Sequence, residues 1–502
     1  MEIITDFKMI FFALFLISFS TLFLYFYVKL WLNPRRIRKK LRTQGINGPE
    51  PSFLYGNLPD IKKIQISTAL KIDGKDSVNV LDNYLSVVHP YIEQWRRQYG
   101  DIFMYSTGHR VHLCVSCPEI VKDICLQKLE LGKPSYIFQE LSPIFGNGII
   151  GSNGQWWAKQ KKIIAPEFFM EKVKSWENQI ASNGGVADIK VDDDLRDLSA
   201  DVISRACFGS SYGMGNEIFK TLGALKEIIT RKNYIFGIPS FSYLPTKMNR
   251  EIWKLEKKVK SSVLKIIKQR TKDPMSSKDL LMTILKNANS GQLPPGASNQ
   301  FIVDNCKNFY FAGHDTTATA VRWILVLLAS YPEWQMHARA EVVEVCGDKL
   351  PNADSIGKMK MLTMVIKECL RLYPPSVFVA RETMEELKLG NLKIPKGTHV
   401  WVPIPAMHRD TRIWGQDVNE FRPERFKNGI SGACNFPIAY MPFGMGPRTC
   451  LGQHLAMVEL KIILSLILLK FSFSLSPKYK HFPQTRMLVE PGYGVYLLIK
   501  KI

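Results

Sequence analysis

Cysteine is scarce in this chain and irregularly placed. Nine occur in 502 residues: Cys114, Cys117, Cys125, Cys207, Cys306, Cys346, Cys369, Cys434 and Cys450. An odd count without a regular framework argues against structural disulfides and for reduced thiols in a reducing compartment. Cys114 and Cys117 make a lone C-x-x-C with no second pair and no histidine ligands nearby. That reads as strand packing, not as zinc. Acidic residues are also in deficit, 45 against 67 Lys and Arg, for a formal net charge of +22. Such a surplus suits nucleic acid, yet no nucleic-acid-binding motif is present. No G-x-G-x-x-G or other nicotinamide fingerprint occurs either. Beyond residue 52 there is no internal repeat and no interdomain linker.

What is present is a large apolar fraction, 46% of the residues, ample for an extensive core. Met9 to Val28 is an uncharged run of twenty residues rich in Phe, Leu and Ile. As a helix it would be about 30 Å long, enough to cross a bilayer. Lys29, Arg35, Arg36, Arg38, Lys39, Lys40 and Arg42 follow it, whereas Glu2, Asp6 and Lys8 precede it. Positive charge stays on the cytosolic side, so the bulk of the chain is expected to face the cytosol. A cleaved signal peptide would have a shorter apolar run with basic residues before it. The expected organisation is a lumenal stretch at 1–8, a signal anchor at 9–28, a basic segment with a Gly/Pro hinge at 29–52, and one cytosolic body at 53–502. Tyr25, Tyr27 and Trp31 suit an interfacial belt.

Helical periodicity dominates the body. Helices are expected at Asp194–Cys207, Ile252–Gln269, Phe301–Ala329, Glu333–Val345, Ile356–Tyr373 and Leu455–Leu469. Short strands are expected at Val111–Val115, Leu387–Leu389, His399–Val402 and Val495–Ile499. Polar loops are expected at 271–279 and 290–298. The fold class is therefore mainly α with small peripheral β-sheets.

Three separated patterns carry chemistry. The first is Phe443-Gly444-Met445-Gly446-Pro447-Arg448-Thr449-Cys450-Leu451-Gly452, a glycine-punctuated loop leading into an apolar helix. Gly444 and Gly446 permit backbone torsions closed to other residues. The helix after Gly452 aims its N–H groups and dipole at the sulfur, which favours thiolate. Such a thiolate is what a haem iron needs as a sulfur ligand that promotes O–O cleavage. The second pattern is Glu368 and Arg371, on one helix face at i and i+3. The third is Ala312-Gly313-His314-Asp315-Thr316-Thr317, inside a long apolar helix where a threonine hydroxyl competes for backbone carbonyls.

In this order the three patterns resemble a cytochrome P-450, a haem-thiolate monooxygenase with a single N-terminal transmembrane helix. The resemblance implies haem b bound through Cys450, with O2 as co-substrate. Phe443 would shield the sulfur, Gly444 and Gly452 would admit the porphyrin, and Arg448 would bind a propionate. Arg381 matches a second propionate arginine. Trp157 and Lys161 stand where the family carries W-x-x-x-R, and lysine lacks the planar fork of arginine. Arg425, in Phe421-Arg422-Pro423-Glu424-Arg425-Phe426, would join Glu368 and Arg371 in a buried structural network. Asp315 and Thr316 would deliver protons during oxygen cleavage, and His314 has no matched role. Electrons would come from NADPH through NADPH–cytochrome reductase, whose acidic face suits Lys159, Lys161 and Lys162.

The run Trp157 to Phe169 and the segment Gly132-Lys133-Pro134-Ser135-Tyr136 resemble plant members of the 72 clan, the subgroup that oxidises gibberellins and ent-kaurane acids. A bulky terpenoid substrate follows, with hydroxylation or epoxidation as the reaction and the endoplasmic reticulum as the location. Pentacyclic triterpenoids are the alternative substrates. Pocket candidates are Phe138, Leu141, Ile144, Phe145, Phe309, Ala312, Val377, Phe378, Val379, Tyr493 and Gly494, an apolar set suited to fused rings. Two other readings remain: a haem-thiolate isomerase or dehydratase, which Asp315-Thr316 argues against, and a non-catalytic haem or terpenoid carrier.

Overall fold

The computed structural model describes residues 2–73, 80–127, 131–146, 148, 150, 186–208, 212–231, 244–270, 280–288, 298–347 and 349–502. The first helix, α1 (Glu2–Tyr27), carries the apolar run; a π-helical turn over Val28–Leu32 joins it to basic α2 (Asn33–Arg42). Its large side chains from Met9 to Tyr27 are exposed. The stretch Met9–Arg42 contains the one window among the described residues that is long and apolar enough to span a membrane. Lys29 Nζ donates to Tyr25 Oη at 3.3 Å, so the first cation folds back on the aromatic belt.

The Gly/Pro segment turns the chain at Gly45, where φ is +81°. It is fastened, however, and is not a free hinge. Ile46 is buried, and the Asn47 carbonyl accepts Met104 N–H at 3.0 Å. A Cβ at Gly48 would lie 1.7 Å from the Met104 carbonyl oxygen, so only glycine admits this approach.

Beyond it the helices surround α5 (Ser298–Ser330), 33 residues long and buried along most of its length. Against α5 pack α3 (Asp192–Phe208), α4 (Tyr212–Arg231), α6 (Pro332–Cys346), α7 (Lys360–Leu372) and α8 (Gln453–Lys470). Every residue of the run Trp323–Leu328 is fully buried in the central cluster. The expected helix at 356–373 is instead two helices, Ala353–Lys358 and α7, broken at Met359. The break is capped from afar: Glu341 on α6 accepts Met361 N–H at 2.7 Å and Leu362 N–H at 2.8 Å. The remaining expected helices match to within a few residues at their ends, Lys247–Arg270 included.

The sheets are peripheral. The largest has five strands: β1 (Ile102–Thr107), β2 (Arg110–Val115), β3 (Leu131–Gly132), β4 (Phe378–Thr383) and β5 (His399–Pro403). Their spatial order is β1-β2-β5-β4-β3, with β2 and β5 parallel and the other pairs antiparallel. Cys114 is buried on β2, as the packing reading of the C-x-x-C expects. Near the C-terminus, β6 (Leu488–Pro491) is tied to α5 by Trp323 Nε1, which donates to the Val489 carbonyl at 2.8 Å. The last strand spans Tyr496–Lys501, slightly beyond the expected Val495–Ile499.

Buried histidines give the fold an acid weakness. Burial holds His89 and His314 down to about 4, and His399 and His408 down to about 3. A neutral buried imidazole stabilises the fold fully above the unfolded value of about 6.5, and this is lost as pH falls toward the folded values. Glu459 opposes this: burial raises it to about 8, so its contribution is present at low pH and fades as pH rises from 4.5 through 8. The histidines outnumber it. The midpoint of thermal unfolding should fall steadily between about pH 6.5 and pH 4; a flat profile would contradict neutral burial.

Candidate active site

The cysteine loop folds as its glycines require. Gly444 and Gly446 have φ of +69° and +70°. A Cβ at Gly446 would lie 1.8 Å from the Cys125 carbonyl oxygen, so a side chain there is excluded twice. Cys450 N–H closes the loop on the Phe443 carbonyl at 2.8 Å, and Phe443 packs on the central core. Gly452 caps α8. Burial raises the Cys450 thiol, while the Gly452 N–H and the Lys133 ammonium pull it back toward thiolate. The side chain still presents accessible surface.

Lys133 lies beside the sulfur, and Arg381 and Arg448 act on Lys133 in turn. Lys133 is pushed down to about 7 by burial and by repulsion from Arg381 and Arg448, and Cys450 opposes that shift. Arg448 is lowered to about 10 by burial and by Arg381. Arg381 Nη1 donates to the Ala380 carbonyl at 2.9 Å on β4. A thiol among three mutually repelling cations is a donor set for one metal and a pair of carboxylates. Lys133 has no role in the sequence reading beyond its place in Gly132-Lys133-Pro134; a cation in that short stretch was the available signal. Trp157, Lys161 and the whole run Trp157–Phe169 lie outside the described residues, as do Lys159, Lys162 and the polar loops expected at 271–279 and 290–298, except Ser298, which instead begins α5.

Glu368 and Arg371 are fully buried on α7 and form a two-bond fork, Nε to Oε2 and Nη2 to Oε1, each 2.8 Å. Arg371 spends its other donors on the carbonyls of His408 (2.9 Å), Val418 (2.7 Å) and Glu420 (3.2 Å). Arg425 reaches Glu368 at 3.5 Å and Asp417 at 3.1 Å. The connection to the cysteine loop is a neutral histidine. His408 Nδ1 donates to the Arg371 carbonyl at 3.0 Å, and its Nε2 accepts Met441 N–H at 3.0 Å. The Met441 carbonyl in turn accepts Gly444 N–H at 3.0 Å. Sequence reading missed His408 and Asp417.

On α5, Thr316 Oγ1 donates to the Ala312 carbonyl at 2.6 Å, the competition for the helix ladder expected there. Gly313 has a different duty: a Cβ would lie 2.3 Å from Ile203 Cδ1, so it admits α3. Asp315 is buried and ion-paired to Lys226 of α4 at 2.6 Å. Its carboxyl is held below the usual range although burial pushes it up; Lys226 is the main opposing cause. His314 is neutral, its ring centroid 4.9 Å from that of Phe219. Lys226 is a further residue the sequence reading missed. The signal was its place among buried Leu222, Leu225 and Ile229 on one helix.

The apolar candidates divide. Phe145 stacks edge-on against Phe311 at 5.1 Å, and Phe309 packs on the same cluster. Ala312 is half-buried on α5. Val377 is in the central core, and Phe378 contacts Trp401 and His89 at 4.9 and 4.8 Å between centroids. Tyr493 is 57% exposed, its ring 5.3 Å from that of Phe482. Phe138 lies on the helix Ser135–Glu140, its side chain outside the described set.

The Cytochrome P450 family description matches residues 81–498. The chain belongs to the cytochrome P450 family. It is 47% identical over 501 residues to cytochrome P450 714C2 of Oryza sativa subsp. japonica, covering 96% of each chain. Similar likeness extends to cytochrome P450 714B3 of Zea mays, at 44% over 95% of this chain and 93% of that one, and to 714A2 of Arabidopsis thaliana, at 43% over 92% and 93%. It is thus a plant-type P450, a haem-dependent monooxygenase of the oxidoreductase class, with an N-terminal helix that fits a membrane anchor. The residues present fit the group that the family carries: a sulfur backed by an amide N–H, with Lys133, Arg381 and Arg448 around it.

Proposed function

We propose that this P450 inserts one oxygen atom of O2 into a gibberellin or another ent-kaurane-type diterpenoid, at the endoplasmic-reticulum membrane. NADPH supplies the electrons through NADPH–cytochrome reductase. The observation that carries the reading is the Cys450 loop, with its two left-handed glycines and the cation cluster at Lys133. Haem b, bound there, supplies the activation of O2. The chain's residues do the rest. Cys450 provides the sulfur ligand, and Gly452 N–H and the dipole of α8 favour its ionised form. Arg381, Arg448 and Lys133 take the propionates, with Trp157 and Lys161 assigned to the same task from the sequence. Glu368, Arg371 and Arg425 hold the loop through His408. Phe138, Phe145, Phe309, Ala312, Val377, Phe378 and Tyr493 are assigned to the substrate side from the sequence, an apolar set suited to fused rings. Asp315 and Thr316 pass protons to the reacting oxygen.

The test is microsomal expression with a reductase and mass spectrometry against a terpenoid panel, gibberellins and ent-kaurenoic acid first and pentacyclic triterpenes second. Product from the diterpenes that requires NADPH and reductase supports the proposal. Product from triterpenes alone moves the substrate class, and haem binding without turnover on any of them leaves a carrier.

Thr316 has its own signature. Thr316→Ala removes the hydroxyl bonded to Ala312 but no buried charge, so haem content should be unchanged. Positioned proton transfer contributes on the order of 10²-fold or more, and water replaces part of it. Product per NADPH should fall by about tenfold, with peroxide accounting for the electrons. Unchanged coupling would remove Thr316 from the relay.

A further inference from the structure

The assignment of Asp315 leaves unexplained the cation that holds it. Lys226 Nζ lies 2.6 Å from Asp315 Oδ2 and also bonds Glu490 Oε1. The three side chains are 11%, 8% and 5% exposed. One ammonium therefore joins α4, α5 and β6. From α3, Arg196 reaches the far oxygen of Glu490 at 4.0 Å. Lys226, Asp315 and Glu490 thus form a buried triad, with partly exposed Arg196 at its rim.

Arg196 is shared with exposed Asp193 on its own helix, at 3.3 Å. Arg322 of α5 is paired with Asp192 of α3 at 3.1 Å. Glu459 of α8 accepts from Ser199 Oγ at 2.7 Å, and the same hydroxyl donates to the His314 carbonyl at 3.0 Å. His314 is neutral. Lys226 is then the direct cationic partner of Asp315, whereas Glu490 has Arg196 as well.

The geometry points to Lys226 as a positioning residue: it orients Asp315 for proton delivery and ties the helix that carries it to α4 and β6. This rests on the proposed role of Asp315 and goes beyond it. Lys226 does not touch the reacting atoms; it acts through the carboxylate. Its position also means that α4 cannot lift from α5 without releasing Asp315.

Removing the ammonium gives a signed expectation. Two buried carboxylates would share only Arg196, and like charges so placed cannot both stay ionised. Asp315, the one further from Arg196, takes the proton. Activity that needs the Asp315 carboxylate is then lost at a higher pH than before. Removing Glu490 instead takes away an anion, so Asp315 ionises more easily and the limb moves down.

The experiment combines pH profiles of product per NADPH with infrared detection of protonated carboxyl groups in the resting full-length protein. Lys226→Gln should raise the acid limb by about one pH unit or more, and a second protonated carboxyl band should appear at neutral pH beside that of Glu459, which burial raises to about 8. Adding Asp315→Asn should erase the second band. Lys226→Arg should restore most of the wild-type profile, and Glu490→Gln should shift the limb downward. In the Asp315→Asn background, Lys226→Gln should cost less than about twofold further, because the two act as a unit. An unmoved acid limb with no new band would overturn the proposal, as would a band erased by Glu490→Gln in place of Asp315→Asn. If Lys226→Gln fails to fold, the direction of the Glu490→Gln shift still decides. Full coupling in Asp315→Asn alone would instead sink the Asp315 relay, and the infrared band would still report whether Lys226 sets the state of that carboxyl.

Discussion

Arg371→Lys should abolish the haem-loaded protein almost as completely as Arg371→Ala, although it keeps the charge. The guanidinium has five N–H donors, and all five are engaged: two on Glu368 and one each on the carbonyls of His408, Val418 and Glu420. Lysine offers three donors from one point and cannot reproduce the fork. At least two acceptors would be stranded, and four of the five bonds are buried, so each loss costs about 1–3 kcal/mol. Arg371→Ala strands the Glu368 carboxylate as well, at roughly 3–5 kcal/mol. Total stability of a folded domain is only about 5–15 kcal/mol, so either change consumes much of the margin. The damage should centre on the cysteine loop, because Arg371 Nη1 holds the His408 carbonyl and His408 Nε2 holds Met441 N–H. The measurement is haem per polypeptide after membrane extraction. A Lys variant with full haem content would show that the charge alone matters.

Cys450→Ser should have the opposite profile, a folded body with altered chemistry. The loop closes through backbone atoms, Cys450 N–H on the Phe443 carbonyl and Gly444 N–H on Met441, so the substitution leaves the scaffold intact. A serine hydroxyl does not ionise near neutral pH and cannot replace a thiolate ligand. The red-shifted absorption of the reduced carbon-monoxide complex should disappear, and turnover with it. The thermal midpoint of the haem-free polypeptide should move by only a few degrees, because serine is nearly isosteric with cysteine and the loop's backbone bonds remain. A normal spectrum would refute the ligand assignment.

What could be read from the sequence was what is local in it. The cysteine loop was legible because its torsional demands fall on glycines within six residues of Cys450. Glu368 and Arg371 were legible as neighbours on one helical face. Thr316 and Ala312 are one turn apart, and their bond follows from helix geometry. The partners of Arg371 were not legible, since they are carbonyls 37 to 49 residues downstream. Lys226 meets Asp315 and Glu490 across 89 and 264 residues, and nothing in a helical period announces that. The break at Met359 was hidden for the same reason. Met and Lys are good helix formers, and the cap at the start of α7 is Glu341, on another element. The Gly/Pro segment misled in the other direction: Gly48 signals a close backbone approach as readily as flexibility, and here Met104 supplies the approach.

The central claim is that this P450 places one atom of molecular oxygen into a diterpenoid, and isotopically labelled dioxygen tests it most directly. The full-length protein, reductase and NADPH are incubated with ent-kaurenoic acid and gibberellins under the labelled gas, and products are weighed by mass spectrometry. The expected product is heavier by one labelled oxygen atom, with the label absent when water carries it. A product whose new oxygen comes from water, or a rearranged product with no new oxygen, would contradict it.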